Sequence, residues 1–172
     1  MVEGTDAMKR ASFVTAMLGA VGLLALSTVK TPGLVWNETA SAPVGLYRVI
    51  AANPLLRGDL VLALPPPGVQ RLTAQRGYLA LGVPLIKHVA ALTGDRICAD
   101  ARHVAINGRT VAIRLERDGQ GRPLSGWRGC KTLTAHEVFL LNAAVPQSFD
   151  GRYFGVVSAT AILGKLVPLW TL

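Results

Sequence analysis

Two cysteines, Cys98 and Cys130, and three scattered histidines, His88, His103 and His136, are all the cysteine and histidine in this 172-residue sequence. No cysteine pair has CxxC spacing and no histidines cluster beside one, so neither a metal site nor a cofactor is expected. Acidic residues are also scarce, 10 against 18 lysines and arginines, for a formal net charge of +8. The basic residues nowhere form a run interleaved with aromatics, which argues against nucleic acid as a partner. Solvated surface charge is the ordinary account of the excess; attraction to anionic lipid headgroups is the functional one. No internal repeat is visible, and no second linker breaks the chain after position 30.

Charge is missing altogether from Ala11 to Val29, "ASFVTAMLGAVGLLALSTV", between Arg10 and Lys30. As a helix this run is about 28 Å long, close to the roughly 30 Å hydrocarbon core of a bilayer. Residues 1–30 therefore read as a short cytoplasmic tip and a transmembrane anchor, and 31–172 as one extracytoplasmic domain. A cleaved secretory signal, with "ALS" at 25–27 as an imperfect cleavage site, is the competing reading; signal cores usually run only about 7 to 15 residues. Either way the domain after Lys30 is expected outside the cytoplasm. An exported domain favours a Cys98–Cys130 disulfide, with two unpaired buried thiols as the alternative.

After Lys30 the pattern is that of short strands punctuated by turns, and the domain is expected to be mainly β. "GDLVLALPP" reads as a strand stopped by Pro65, Pro66 and Pro67. "HVAINGRTVAI" reads as a hairpin, because Asn107-Gly108 supplies the positive φ angles of a tight I′ turn. "EVFLLNA" and "RYFGVV" read as further strands, "TAQRGYLALG" as a short helix, and the polar, glycine-rich stretch 114–131 as a loop or excursion. Asp95, after Gly94, reads as a turn residue. The apolar "ATAILGKLVPLW" is interrupted by Lys165 and reads as a last strand resting on the membrane surface, with Trp170 as packing.

Lysine is nearly absent from the domain: 12 arginines but only three lysines follow position 30. Lys87 is the only formally charged residue between Leu79 and Leu92. Apolar side chains occupy both alternating sets in "LALGVPLIKHVAAL", so this strand is expected to be buried on both faces with Lys87 inside it. Burial disfavours the ammonium form, and a neutral amine can take a proton from a serine hydroxyl. A lysine that snorkels to the surface or pairs with a carboxylate is the plainer alternative.

Four segments decide between these readings by their order. "SAPVGLY" from Ser41, "RGDLVLAL" at 57–64, "IKHVAALTGDRI" at 86–97 and "SFDGRYFGVV" at 148–157 resemble, in sequence, the conserved boxes of the bacterial type I signal peptidases. The likeness is greatest to the TraF-type conjugative transfer peptidases, which share the "SxPxGLY" and "SFDGRYFG" wording, and it spans roughly residues 10 to 168. The resemblance implies a signal-peptidase-like β domain behind one N-terminal membrane helix, in the bacterial inner membrane with the catalytic domain in the periplasm. It implies Ser41 as nucleophile and Lys87 as general base. Ser148 matches the serine that holds the lysine amine, and Asp150 and Arg152 a structural ion pair. Thr39 matches the hydroxyl that joins the Ser41 backbone N–H in the oxyanion hole. Ala42 departs from the bulky apolar residue of leader peptidases, and Lys87-His88 from their usual "KR"; neither removes a reacting group.

On this reading the substrate is a pilin subunit matured through an acyl-enzyme, released by water or by the pilin's own amino terminus to give a ring. A general leader peptidase acting on pre-proteins would use the same acyl-enzyme. Inner-membrane lipids and other proteins of the mating apparatus are the further partners implied. A non-enzymatic envelope component of a secretion or mating channel is the alternative from another class.

Overall fold

The structure, a computed structural model, describes residues 32–172. The expected anchor over residues 11–29 lies outside the described residues. Among those described, no helix is long and apolar enough to cross a membrane.

The domain is mainly β, as the strand and turn pattern predicts. Its strands are β1 (Leu34–Asn37), β2 (Gly45–Ile50), β3 (Leu60–Ala63), β4 (Leu85–Ala91), β5 (Arg96–Ala99) and β6 (His103–Ile106). They continue with β7 (Arg109–Ile113), β8 (Gly129–Thr132), β9 (Glu137–Leu140), β10 (Val156–Ser158) and β11 (Ile162–Thr171). Seven form one antiparallel sheet in the order β1-β2-β11-β3-β4-β9-β10, and four a smaller one in the order β7-β6-β5-β8. The two sheets share a core in which Ile97, Val104 and Ile106 of the small sheet meet Ala91, Phe139 and Leu141. Trp127 closes that core edge-on to Phe139 at 6.2 Å.

The β6–β7 hairpin turns where expected, with Asn107 at φ 50° and Gly108 at φ 81°. Strand β3 stops before the three prolines, but these also start something. Pro67 is the first residue of helix α1 (Pro67–Gln75), where a missing N–H leaves no hydrogen bond unmade and the fixed φ suits the turn. The helix expected over "TAQRGYLALG" is thus displaced, and only its first three residues, Thr73 to Gln75, are helical. "RYFGVV" is likewise not one strand: Gly151–Phe154 form a short helix, α2, and β10 begins only at Val156. The reason is a cap, since the Asp150 carboxylate accepts the Arg152 N–H at 3.2 Å and starts a turn.

The excursion after β7 is irregular, but its last residues enter β8, which pairs Cys130 with Cys98 across the ladder. A disulfide joins these two cysteines. Because the bridge closes a loop of 32 residues' separation, Cys98→Ser is expected to lower unfolding free energy by about 3 to 4 kcal/mol. Urea denaturation should show that loss, and reduced wild type should match it.

Strand β11 is long and divided in character. Its first half lies between β2 and β3 with alternating burial, whereas from Val167 onward the residues are exposed. Trp170 packs against Trp36, ring centroids 5.7 Å apart, while staying 55% exposed. Asp95, beyond marking a turn, is buried and accepts hydrogen bonds from Leu92 N and Asn107 Nδ2, each at 2.8 Å.

Candidate active site

Ser41 lies in the turn between β1 and β2, and an asparagine shapes that turn. Asn37 ends β1 buried, and its Nδ2 donates to the carbonyls of Thr39 at 3.0 Å, Ala42 at 3.0 Å and Pro43 at 2.9 Å. Three carbonyls around one amide nitrogen fix which way the amide points. Its Oδ1 then accepts from Thr39 N at 3.1 Å and Thr39 Oγ1 at 3.0 Å. Ser41 Oγ lies 3.1 Å from Thr39 Oγ1. Since the one Thr39 hydroxyl proton is given to Asn37, Ser41 is the donor in that pair. Past the turn, Gly45 is required by close approach: a Cβ there would lie 2.1 Å from the Trp170 carbonyl oxygen of β11.

Lys87 sits in the middle of β4, opposite Val61 of β3, and is only 3% exposed. Its Nζ donates to Ser148 Oγ at 2.9 Å. Burial pushes the amine down from the ordinary lysine value to about 8, opposed by the Asp150 carboxylate and reinforced by the Arg152 guanidinium. The expectation of a buried lysine is met in this strand, and its partner is a hydroxyl rather than a carboxylate.

Asp150 and Arg152 form a fully buried ion pair behind Ser148, with Arg152 Nε to Asp150 Oδ1 at 2.8 Å and Nη2 to Oδ2 at 3.0 Å. The guanidinium also donates to the carbonyls of Pro146 at 2.9 Å, Asn142 at 2.9 Å and Val145 at 3.1 Å. It thereby fastens the loop 142–148 that presents Ser148. Gly151 is needed here too, because a Cβ would lie 2.6 Å from the Leu140 carbonyl oxygen.

Asn142 holds these parts together and was not among the residues singled out from sequence. Its Nδ2 donates to the Ser41 carbonyl and, at 3.2 Å, to that of Ile86. Its Oδ1 accepts His88 N at 3.0 Å, and its own N–H donates to Asp150 Oδ2 at 3.0 Å. Asn142 therefore links the Ser41 turn and both sides of Lys87 through its side chain, and the ion pair through its backbone. The signal was a lone uncharged polar residue within "VFLLNAAV".

Ser41, Thr39, Lys87 and Ser148 all line one cavity of about 520 Å³, walled by apolar side chains including Trp36, Leu62, Ile86 and Phe149. Asp150 and Arg152 stand outside it, and the disulfide belongs to the small sheet. No hydrogen bond joins Ser41 directly to Lys87; each is bonded to its own hydroxyl partner.

The sequence model of the family described as "Signal peptidase, peptidase S26" matches residues 7–170. The chain belongs to the signal peptidase family. Membership implies a serine peptidase, a hydrolase. Among curated relatives, a probable conjugal transfer protein TraF of Sinorhizobium fredii is 34% identical, covering 95% of this chain and 93% of its own length. A plasmid transfer protein TraF of Escherichia coli is 33% identical over 95% of this chain and 97% of its own. A conjugal transfer protein TraF of Agrobacterium tumefaciens is 36% identical over 92% of this chain and 94% of its own. A crystal structure of a signal peptidase I from Enterococcus faecalis V583 is similar at a TM-score of 0.40 and 20% identity, covering 69% of this chain and 100% of that one.

Proposed function

We propose that this signal peptidase family member matures a conjugative pilin subunit at the inner membrane, using Ser41 as nucleophile and Lys87 as general base. The observation that carries the reading is Lys87 itself: a buried amine pushed down to about 8, bonded to a hydroxyl and sharing a cavity with Ser41. At pH 7.5 about a quarter of such an amine is neutral and has a lone pair to offer. Conjugation enters through the relatives, whose names assign them to conjugal or plasmid transfer.

In this reading Ser41 Oγ leaves Thr39, turns toward Lys87 and loses its proton to the neutral amine as it attacks the scissile carbonyl. Ser148 occupies one side of the amine and so aims its lone pair. The oxyanion meets Ser41 N–H, which has no acceptor among the described residues. Thr39 Oγ1 joins it by giving up Asn37. Each such donor is typically worth about 3 to 4 kcal/mol in the transition state. Lys87 then hands its proton to the leaving amine. The acyl-enzyme is released by water, or by the pilin's amino terminus to close a ring.

The test is mass spectrometry of a pilin precursor coexpressed with the wild-type chain or with Ser41→Ala. A precursor shortened by wild type and left intact by Ser41→Ala is the expected result, and a product lighter by one further water identifies a ring. Equal processing by both proteins would sink the serine reading and favour a non-enzymatic envelope component. Shortening of other exported precursors in place of the pilin would identify a general leader peptidase.

Asn142 gives a separate prediction. Asn142→Ala leaves the buried carbonyls of Ser41 and Ile86 and the His88 N–H without their side-chain partner. With the Ser41 turn freed from β4, kcat is expected to fall about a hundredfold while KM changes little. A Tm shift without that kcat change would make Asn142 purely structural.

A further inference from the structure

Three formally charged residues line the cavity that contains Ser41: Lys87, Asp118 and Glu38. Two of them are engaged. Lys87 donates to Ser148. The Asp118 carboxylate, only 7% exposed, accepts from Arg122 Nε at 2.7 Å and from the Tyr78 hydroxyl, with Arg76 Nη1 3.8 Å away. The Glu38 carboxylate has neither a hydrogen bond nor an ion pair among the described residues.

That is unusual for this domain. Eight acidic residues follow position 30, and six of them, Asp59, Asp95, Asp100, Asp118, Glu137 and Asp150, lie within 4.0 Å of a lysine, arginine or histidine nitrogen. The other two are Glu116, which stands outside the cavity wall, and Glu38. Glu38 is exposed and stands three residues before Ser41. Since a chain spans at most about 3.6 Å per residue, their Cα atoms lie within about 11 Å of each other. An extended peptide with its scissile carbonyl on Ser41 covers that distance in about three or four residues.

The neighbouring wall indicates what such a peptide would bring. Trp36 lines the same cavity and is 46% exposed. An aromatic ring and a carboxylate in one wall suit a lysine or arginine, whose alkyl stem packs on the ring while its charge reaches the acid. The positive excess of the whole domain repels such a group, so its selection has to be local. We propose that Glu38 is a specificity residue that selects a lysine or arginine of the substrate within about four residues of the scissile bond, and so fixes which bond meets Ser41. This inference rests on the Ser41 and Lys87 reading above.

The experiment gives the full chain, in detergent micelles, N-acetylated decapeptide amides of alternating alanine and serine with one central residue replaced by lysine, glutamine or glutamate. Mass spectrometry reads both the cleavage rate and the bond cut. Wild type is expected to cut at a fixed spacing from the lysine, and about threefold to fivefold faster than in the glutamine peptide, as an exposed ion pair allows. That preference should fade at high salt. Glu38→Gln should cut the glutamine peptide as wild type does and lose the lysine preference, and Glu38→Lys should follow the glutamate instead. A wild type that cuts all three peptides alike, or a Glu38→Gln variant that still follows the lysine, overturns the proposal. Ser41→Ala keeps this failure apart from failure of the serine reading: cleavage that survives it, or none by wild type, overturns that reading and the selection with it.

Discussion

Lys87→Met is expected to lower peptide cleavage by about a hundredfold to ten-thousandfold, the range a general base supplies, without lowering the stability of the domain. The second half of that expectation follows from burial. In the folded chain the amine is held at about 8 against an ordinary lysine value of 10.5. Between those values the unfolded chain binds the proton and the folded chain does not, so stability rises with pH across that window and is least below it. At pH 7 the disfavoured proton costs on the order of 3 kcal/mol. Methionine fills similar space with no charge to bury, and its gain offsets the lost bond to Ser148. The wild-type rate should climb about tenfold per pH unit below 8 and level off above it. Steady-state rates from pH 5.5 to 9.5, with thermal melts of both proteins, are the measurement. A flat profile through pH 8, or a Lys87→Met variant that still cleaves, would remove Lys87 from the chemistry.

Much of this site was legible because its chemistry conflicts with its surroundings. A lysine in an apolar strand and a serine before Pro and Gly are unusual enough to be noticed, and the four boxes put them in order. The hairpin at Asn107-Gly108 was readable for a similar reason, since few residues accept positive φ. What escaped notice was geometry made by ordinary residues. Asn37 and Asn142 look like polar punctuation in the sequence, yet each makes several bonds that depend on chain segments brought together only by the sheet. "RYFGVV" reads as a strand because a short aromatic and β-branched run favours one, whereas the Asp150 cap turns its first residues into a helix. In the sequence the three prolines read as a stop, but proline both ends a strand and opens a helix, as Pro67 does here. Thr39 also carries a detail no sequence could show: its hydroxyl proton is already given to Asn37.

Arg152→Ala and Asp150→Ala should each destabilise the domain by about 3 to 5 kcal/mol, because each leaves its partner charged, buried and unpaired. Both residues are at most 1% exposed and are joined by two side-chain hydrogen bonds. Replacing both together should cost less than the sum of the single changes by a few kcal/mol, a coupling that a double-mutant cycle in urea would measure. Additive losses would mean the two side chains act independently and that the loop 142–148 is held by other contacts. The pair also tunes Lys87 in opposite directions: Asp150 raises its pKa and Arg152 lowers it. Asp150→Asn keeps the shape and removes the charge, so it should move the rising limb of the rate profile toward lower pH. A variant that only loosened the loop would lower the plateau and leave that limb in place. The direction of the shift therefore tells whether Asp150 acts on the lysine through its charge or only through the fold.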